Sequence, residues 1–167
     1  LLKSMDRTDD AKTIAAELGN RYGYIPAVEW LSEMDLEAIS QSATISPTDD
    51  SALLNNLTFI LQRQPQHLRA NMMLGTLHMM RGRYTNAIQP LLTVTEAAET
   101  PPPEAYYSLA VVQSADGQTE KAVTNASLAA DKFIERDSRS KFNMKDTIQT
   151  LRALVLATRE SEAANLI

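Results

Sequence analysis

Apolar residues recur along this chain with the spacing of α-helices, and polar or helix-breaking residues separate the apolar runs. The clearest run lies mid-chain, and its apolar positions are Ala70, Met73, Leu74, Leu77 and Met80. Gly82 then interrupts the pattern, and a second helical pattern begins at Tyr84. The spacing predicts two helices joined by a tight turn.

The N-terminal third is predicted to form a series of helices. Residues 1–7 carry no clear pattern and are expected to be frayed, and a helix is predicted from Thr8 to a break at 19–23. Another begins near Pro26, because proline is tolerated in a first helical turn. A further short helix is predicted over 36–43.

Proline and charge set the remaining boundaries. Ser46 and Pro47 predict a helix start, because serine caps helices and proline fits their first position. That helix is expected to stop before Pro65. Pro90 lies within a later helical pattern and should bend that helix. Residues 135–142 are charged and are predicted to be a loop.

Composition favours an all-helical protein. The 167 residues are 44% hydrophobic and only 5% aromatic, which suits helix packing better than sheet packing. The absence of cysteine excludes disulfides and thiolate metal sites, and it is compatible with a cytosolic or an exported protein.

No apolar run approaches the roughly 18–20 residues of a membrane span. Because the chain begins at Leu1, we expect it to belong to a longer protein.

The net charge of −5 argues against nucleic-acid binding. Residues 51–95 contain no acid, and their basic side chains are Arg63, Arg69, Arg81 and Arg83. One interpretation is a solvated surface of mixed charge. The other is a weakly basic patch that attracts an acidic partner segment.

The mid-chain pattern repeats 35 positions later in the sequence. The equivalent pairs are Ala70 and Ala105, Leu74 and Leu109, Gly82 and Gly117, and Ala87 and Ala122. Such a period is typical of stacked helical hairpins, because one hairpin cannot bury its apolar face alone. The small residues predict positions where paired helices approach closely.

These residues resemble the tetratricopeptide repeat. The segment LGTLHMMRGRYTNAI is similar to the core motif of that family through Leu74, Gly75, Gly82, Tyr84 and Ala87. The segment LAVVQSADGQTEKAV is a weaker copy, in which Ala110 replaces the usual glycine and Thr119 the usual tyrosine. His78 stands where the family prefers an aromatic residue.

The resemblance implies an all-α, right-handed α-α superhelix, a solenoid of antiparallel helix hairpins. It implies one domain over 1–167 with degenerate N-terminal hairpins at 8–65. The two repeats would span 68–101 and 102–135, and a C-terminal capping helix would span 143–159.

The resemblance also implies a concave groove lined by the first helix of each hairpin. The aligned positions are Arg69, Met72, Thr76, Met79, Tyr107, Val111 and Ser114. Relatives that clamp acidic chaperone tails use Lys, Asn and Arg at positions that here hold Met72, Thr76, Glu104 and Ser108. We therefore expect a partner with apolar side chains. Alternatively, the chain covers these residues with its own terminal helix.

No motif for catalysis or cofactor binding is present. The Met-rich segment with His78 could supply soft ligands for Cu(I), but consecutive methionines point to different helix faces and commonly fill cores. Asp9–Asp10 and Asp49–Asp50 are interpreted as helix-start acids rather than as acid–base pairs. We expect no enzyme activity, no metal and no cofactor.

The sequence thus predicts a non-catalytic protein–protein interaction or scaffolding module that binds a protein or peptide segment in a partly apolar groove. The alternative is a structural role. In that case the apolar surface is buried against a second copy of the chain, in a homodimer, or against another domain of the longer protein.

Overall fold

The computed structural model describes residues 2–42, 47–139, 152–153 and 155–157. Over these ranges the chain forms α-helices and no strand, which confirms the predicted all-α class. The helices are α1 (Leu2–Tyr22), α2 (Ile25–Gln41), α3 (Pro47–Arg63), α4 (Leu68–Met80), α5 (Tyr84–Ala97), α6 (Pro103–Ala115) and α7 (Thr119–Arg139).

The chain divides into two compact units, Leu1–Leu77 and His78–Ile167. The helical content is compatible with a repeat fold. The superhelix, its single-domain organisation and its repeat boundaries stay predictions.

In the first unit, α1 packs on α2 and α2 packs on α3. Gly23 ends α1 with a φ of +64°, a conformation that glycine adopts without a steric penalty. The N–H groups of Gly23 and Tyr24 donate to the carbonyls of Gly19 and Leu18, at 3.0 and 3.2 Å. The fully buried side chains of this unit include Leu53, Leu57 and Ile60 of α3 and Leu77 of α4.

Several predicted boundaries in the first unit are wrong. The predicted frayed end at 1–7 is helical from Leu2, and Asp9 and Asp10 therefore lie inside α1 instead of at its start. The predicted break at 19–23 is also too early, because α1 continues through Gly19 to Tyr22.

The predicted separate helix over 36–43 is the second half of α2, which runs without interruption to Gln41. Val28, Ser32 and Ile39 keep one face of α2 buried along its length. Asp35, a residue type that favours helix N-caps, lies inside this helix, and the continuous contact of α2 keeps the turn helical. Pro47 begins α3 as predicted, and the helix ends before Pro65, whereas the predicted cap Ser46 lies outside the described residues.

In the second unit, α6 packs against both α5 and α7. The predicted turns at Gly82 and Gly117 are confirmed, with φ of +66° and +81°. Pro90 lies inside α5 and is buried, and the bend expected there stays a prediction. The described part of the chain contains no helix that is long and apolar enough to cross a membrane.

Small side chains build the core of the second unit. Its fully buried alanines include Ala105, Ala110, Ala126, Ala129, Ala130 and Ala153. Ala129, Ala130 and Ala153 form one cluster with Phe133, and Ala110 and Ala126 form another with Ala157. The helices approach closely where these alanines meet.

The predicted loop at 135–142 is helical as far as Arg139. The guanidinium of Arg136 pairs with Glu104 Oε1 at 2.8 Å and lies 5.1 Å from the ring centroid of Phe133. These contacts tie this charged turn to α6, so the helix continues. The predicted capping helix over 143–159 is described only in part, with helical backbone at 152–153 and 155–156.

Candidate functional site

The predicted groove residues on α4 are held in place by the loop before it. His67 caps α4, since its Nδ1 accepts the N–H of Ala70 at 3.3 Å. Asn71 is buried, and its Nδ2 donates to the carbonyls of Pro65 and His67, at 2.9 and 3.1 Å. The two side chains fix the start of α4 and the turn preceding it.

Arg69 is exposed, but its charge is paired within the chain. Its Nε lies 3.0 Å from Glu29 Oε1, and its Nη2 pairs with Glu33. Both acids belong to α2, and the Glu29 side chain is only 14% exposed. An acidic partner would have to compete with these carboxylates, so Arg69 is less available than its sequence position implies.

The methionines near Arg69 occupy different environments. Met73 is buried, whereas Met72, Thr76 and Met79 are half-buried.

His78 has a pKa below its ordinary value. The main cause is burial of the side chain, and the second is the nearby positive charge of Arg83. Among the described residues, no three His, Cys, Asp or Glu side chains are grouped so that they could hold a metal ion.

Two of the predicted groove residues meet in a surface groove of the second unit. Tyr107 and Val111, one turn apart on α6, line it together with Arg152, Val155 and Leu156, and its volume is about 480 Å³. We call this feature the α6 groove. Ser114 is exposed further along α6 and does not line it.

The walls of the α6 groove are anchored in the core below. Tyr107 packs against the cluster of Ala129, Ala130, Phe133 and Ala153. Leu156 packs against the second cluster, formed by Ala110, Ala126 and Ala157. These contacts fix two of the groove's side chains on the core of the second unit.

The outer side of the groove carries the side chains of Val155 and Arg152. Val155 is 59% exposed, so it presents apolar surface to solvent. The buried positions of this turn are Ala153 and Ala157. Arg152 is exposed, and none of the acidic side chains in the described ranges pairs with it.

Polar contacts at the far end of α6 fix its position. The carboxylate of Asp116 accepts hydrogen bonds from Thr85 Oγ1 and Gln118 Nε2, both at 2.8 Å, and these bonds lower the pKa of Asp116. Buried Gln113 accepts a 2.8 Å bond from Asn125 Nδ2 on α7. The α6 side of the groove is thereby tied to α5 and α7.

Comparisons of the chain with protein-family models, with curated proteins and with solved structures found no match. The resemblance to the tetratricopeptide repeat therefore rests on the motif residues within 68–135 and on the helical architecture.

Proposed function

We propose that this chain is a non-catalytic binding module of tetratricopeptide-like architecture that holds a segment of a protein partner in the α6 groove. The observation that carries the proposal is a groove that gathers exposed Val155 with half-buried Tyr107, Val111 and Leu156. Concentrated exposed apolar surface is typical of interaction sites on soluble proteins.

Burial of apolar side chains from the partner supplies the affinity. Each fully buried aliphatic or aromatic side chain contributes roughly 1.5–3 kcal/mol before the entropy of association is subtracted. A groove of about 480 Å³ accepts a few such side chains, so we expect binding no tighter than the micromolar range.

The other sequence-predicted positions are further candidate contacts for a partner, each within its own unit. Met72, Thr76 and Met79 are half-buried, and Ser114 is exposed, so each has surface to offer a partner. Arg69 is already paired with two glutamates and contributes less. The proposal assigns no catalytic residue.

The proposal is tested by selecting short random peptides displayed on phage against the whole chain. Enriched peptides should bind the wild type and lose binding to Val155→Asp, since a charge in the apolar wall must be desolvated. Val155 is exposed, so the fold should be unaffected.

Leu128→Asp is the matched control. Leu128 is an exposed aliphatic residue of α7 outside the groove, at 41% exposure. Selected peptides should bind this variant as they bind the wild type. Peptides that bind Val155→Asp undiminished, or a selection that enriches none, would refute the groove.

Self-association is a second candidate, favoured by the outer face of α1. Ile14 and Tyr22 are 59% and 66% exposed, and half-buried Leu18 lies between them at helical spacing. A homodimer, or docking of another domain, would cover this stripe. Light scattering after size exclusion should then show a dimer that Ile14→Glu dissociates, and a monomer at all concentrations would exclude the homodimer.

A further inference from the structure

We propose, on the basis of the binding function above, that the protein segment held in the α6 groove carries a carboxylate that pairs with Arg152. This carboxylate lies beside the apolar side chains that fill the groove. The groove therefore selects its partner by charge as well as by apolar surface.

The composition of the lining is the first support. Tyr107, Val111, Val155 and Leu156 present a largely apolar surface, and among the lining residues that the structure describes Arg152 is the one with a charged side chain. A single cation next to an apolar surface fixes where a charged group of the partner must lie.

The second support is the absence of a carboxylate paired with Arg152 among the described residues. Three other arginines have carboxylate partners within the chain, namely Arg21 with Glu17, Arg69 with Glu29 and Glu33, and Arg136 with Glu104. The ion pairs found within the described ranges include none between Arg152 and a carboxylate. Its planar guanidinium is suited to a carboxylate in a two-bond geometry.

Desolvation gives the groove a preference for a partner with a negatively charged group. A partner that covers the apolar walls also removes water from the neighbouring guanidinium, which is costly unless a negative group replaces that water. A partner without a carboxylate leaves Arg152 uncompensated, and one with a lysine there adds repulsion.

The spacing of the lining sets where the carboxylate should lie. Arg152 precedes Val155 and Leu156 by one helical turn, so the cation and the apolar wall are adjacent along the groove. The acidic residue of the partner is therefore expected at a fixed, short offset from its main apolar residue.

The test uses peptides selected from the phage-displayed library against the whole chain. We expect aspartate or glutamate to be enriched at one offset from an aliphatic or aromatic residue. For a synthetic peptide of that sequence, Arg152→Gln should raise Kd about 3- to 10-fold, as expected for a pair at the rim of a site. Higher salt should reduce this difference.

Arg7→Gln is the matched control, because Arg7 is an exposed arginine of α1 that lies outside the groove. It should leave Kd unchanged. A charge exchange completes the test, in which Arg152→Glu weakens the acidic peptide and a peptide with lysine at the acidic position recovers the loss.

The negative results of these experiments distinguish the carboxylate pairing from the proposed groove. Peptides that lose binding to Val155→Asp but bind Arg152→Gln as tightly as wild type overturn the carboxylate pairing and leave the proposed groove intact. Peptides insensitive to both variants, or no enriched peptide, overturn both proposals. Arg152-dependent binding to phosphatidylglycerol vesicles, with no peptide enriched, overturns the choice of a protein segment as occupant.

Discussion

Gly19 allows α1 and α2 to touch. A Cβ atom built at this position would lie 2.6 Å from Cγ2 of Val28, which is closer than side chains approach one another. The sequence pattern treats Gly19 as the beginning of a break, but the helix passes through it. Glycine at this site serves the packing of the two helices, and Gly23 ends the helix.

Gly19→Ala is therefore expected to destabilise the chain by about 1–3 kcal/mol through overpacking. The higher helix propensity of alanine, worth about 1 kcal/mol, offsets part of the loss. Urea denaturation followed by circular dichroism measures the change. Val28→Ala in the same chain should relieve the clash, and an unchanged midpoint for Gly19→Ala alone would contradict the close contact.

His78 couples stability to pH. Burial and the neighbouring Arg83 lower its pKa below the ordinary value of 6.5, so the folded chain favours neutral imidazole. As the pH falls through 6.5 the unfolded chain binds the proton first. The stability contributed by neutral His78 is thus fully present above 6.5 and is lost as the pH falls toward the lowered pKa.

The expected outcome is a smaller loss of stability in His78→Gln than in wild type between about pH 7.5 and about pH 5.5. Urea midpoints at the two pH values give the comparison. Identical pH dependence would show that the folded chain does not lower the pKa of His78.

The sequence predicts small core residues better than buried polar ones. Ala87, Ala110 and Ala122 are buried as the repeat pattern predicts. Asn71 and Gln113 are buried too, and no apolar pattern indicates them. Their burial depends on hydrogen-bond partners in a preceding turn and on a neighbouring helix, which only the folded chain supplies.

At the scale of helices, local boundary signals are weaker than packing. Asp35, a residue type that favours helix starts, does not interrupt α2, and the charged turn at the end of α7 remains helical. In both places one helical face stays in contact with its neighbour, and that contact stabilises the turn more than the local signal opposes it. The turns that the sequence predicts correctly contain glycine with positive φ.

The contact between α6 and α7 depends on alanine. Ala126 is fully buried against Ala110 and Ala157, so Ala126→Leu should force the helices apart and destabilise the second unit by about 1–3 kcal/mol or more. Thermal denaturation followed by circular dichroism provides the measurement. Thr124→Leu, at an exposed position of the same helix, should change stability by less than about 0.5 kcal/mol. Equal effects of the two substitutions would exclude close packing at Ala126.

At the scale of the whole molecule, helical periodicity and composition are sufficient to predict an all-α chain. The candidate site is predictable only in part. Tyr107 and Val111 follow from the repeat motif, whereas Arg152, Val155 and Leu156 lie in a distant segment with no such motif. Folding brings these two groups of residues together, and the spacing of residues within either group does not predict that they meet.

The turn around Arg152 is joined to the interior on one side and open to solvent on the other. Ala153 and Ala157 are buried, while Arg152 and Val155 are exposed. An occupant that covers the exposed side would also hold this turn in place, so occupancy and folding are thermodynamically linked. A ligand at 100 times its Kd adds about 2.7 kcal/mol of stability.

This linkage makes protease sensitivity a direct reporter of occupancy. Trypsin cuts after arginine, and the bond after Arg152 belongs to the turn that a peptide in the α6 groove would cover. A saturating selected peptide should slow cleavage after Arg152, measured by mass spectrometry, and leave cleavage after Arg7 of the first unit unchanged. Equal rates at Arg152 with and without peptide would mean that the peptide binds elsewhere. One arginine would thus serve both as a contact for the partner and as a natural label for its presence.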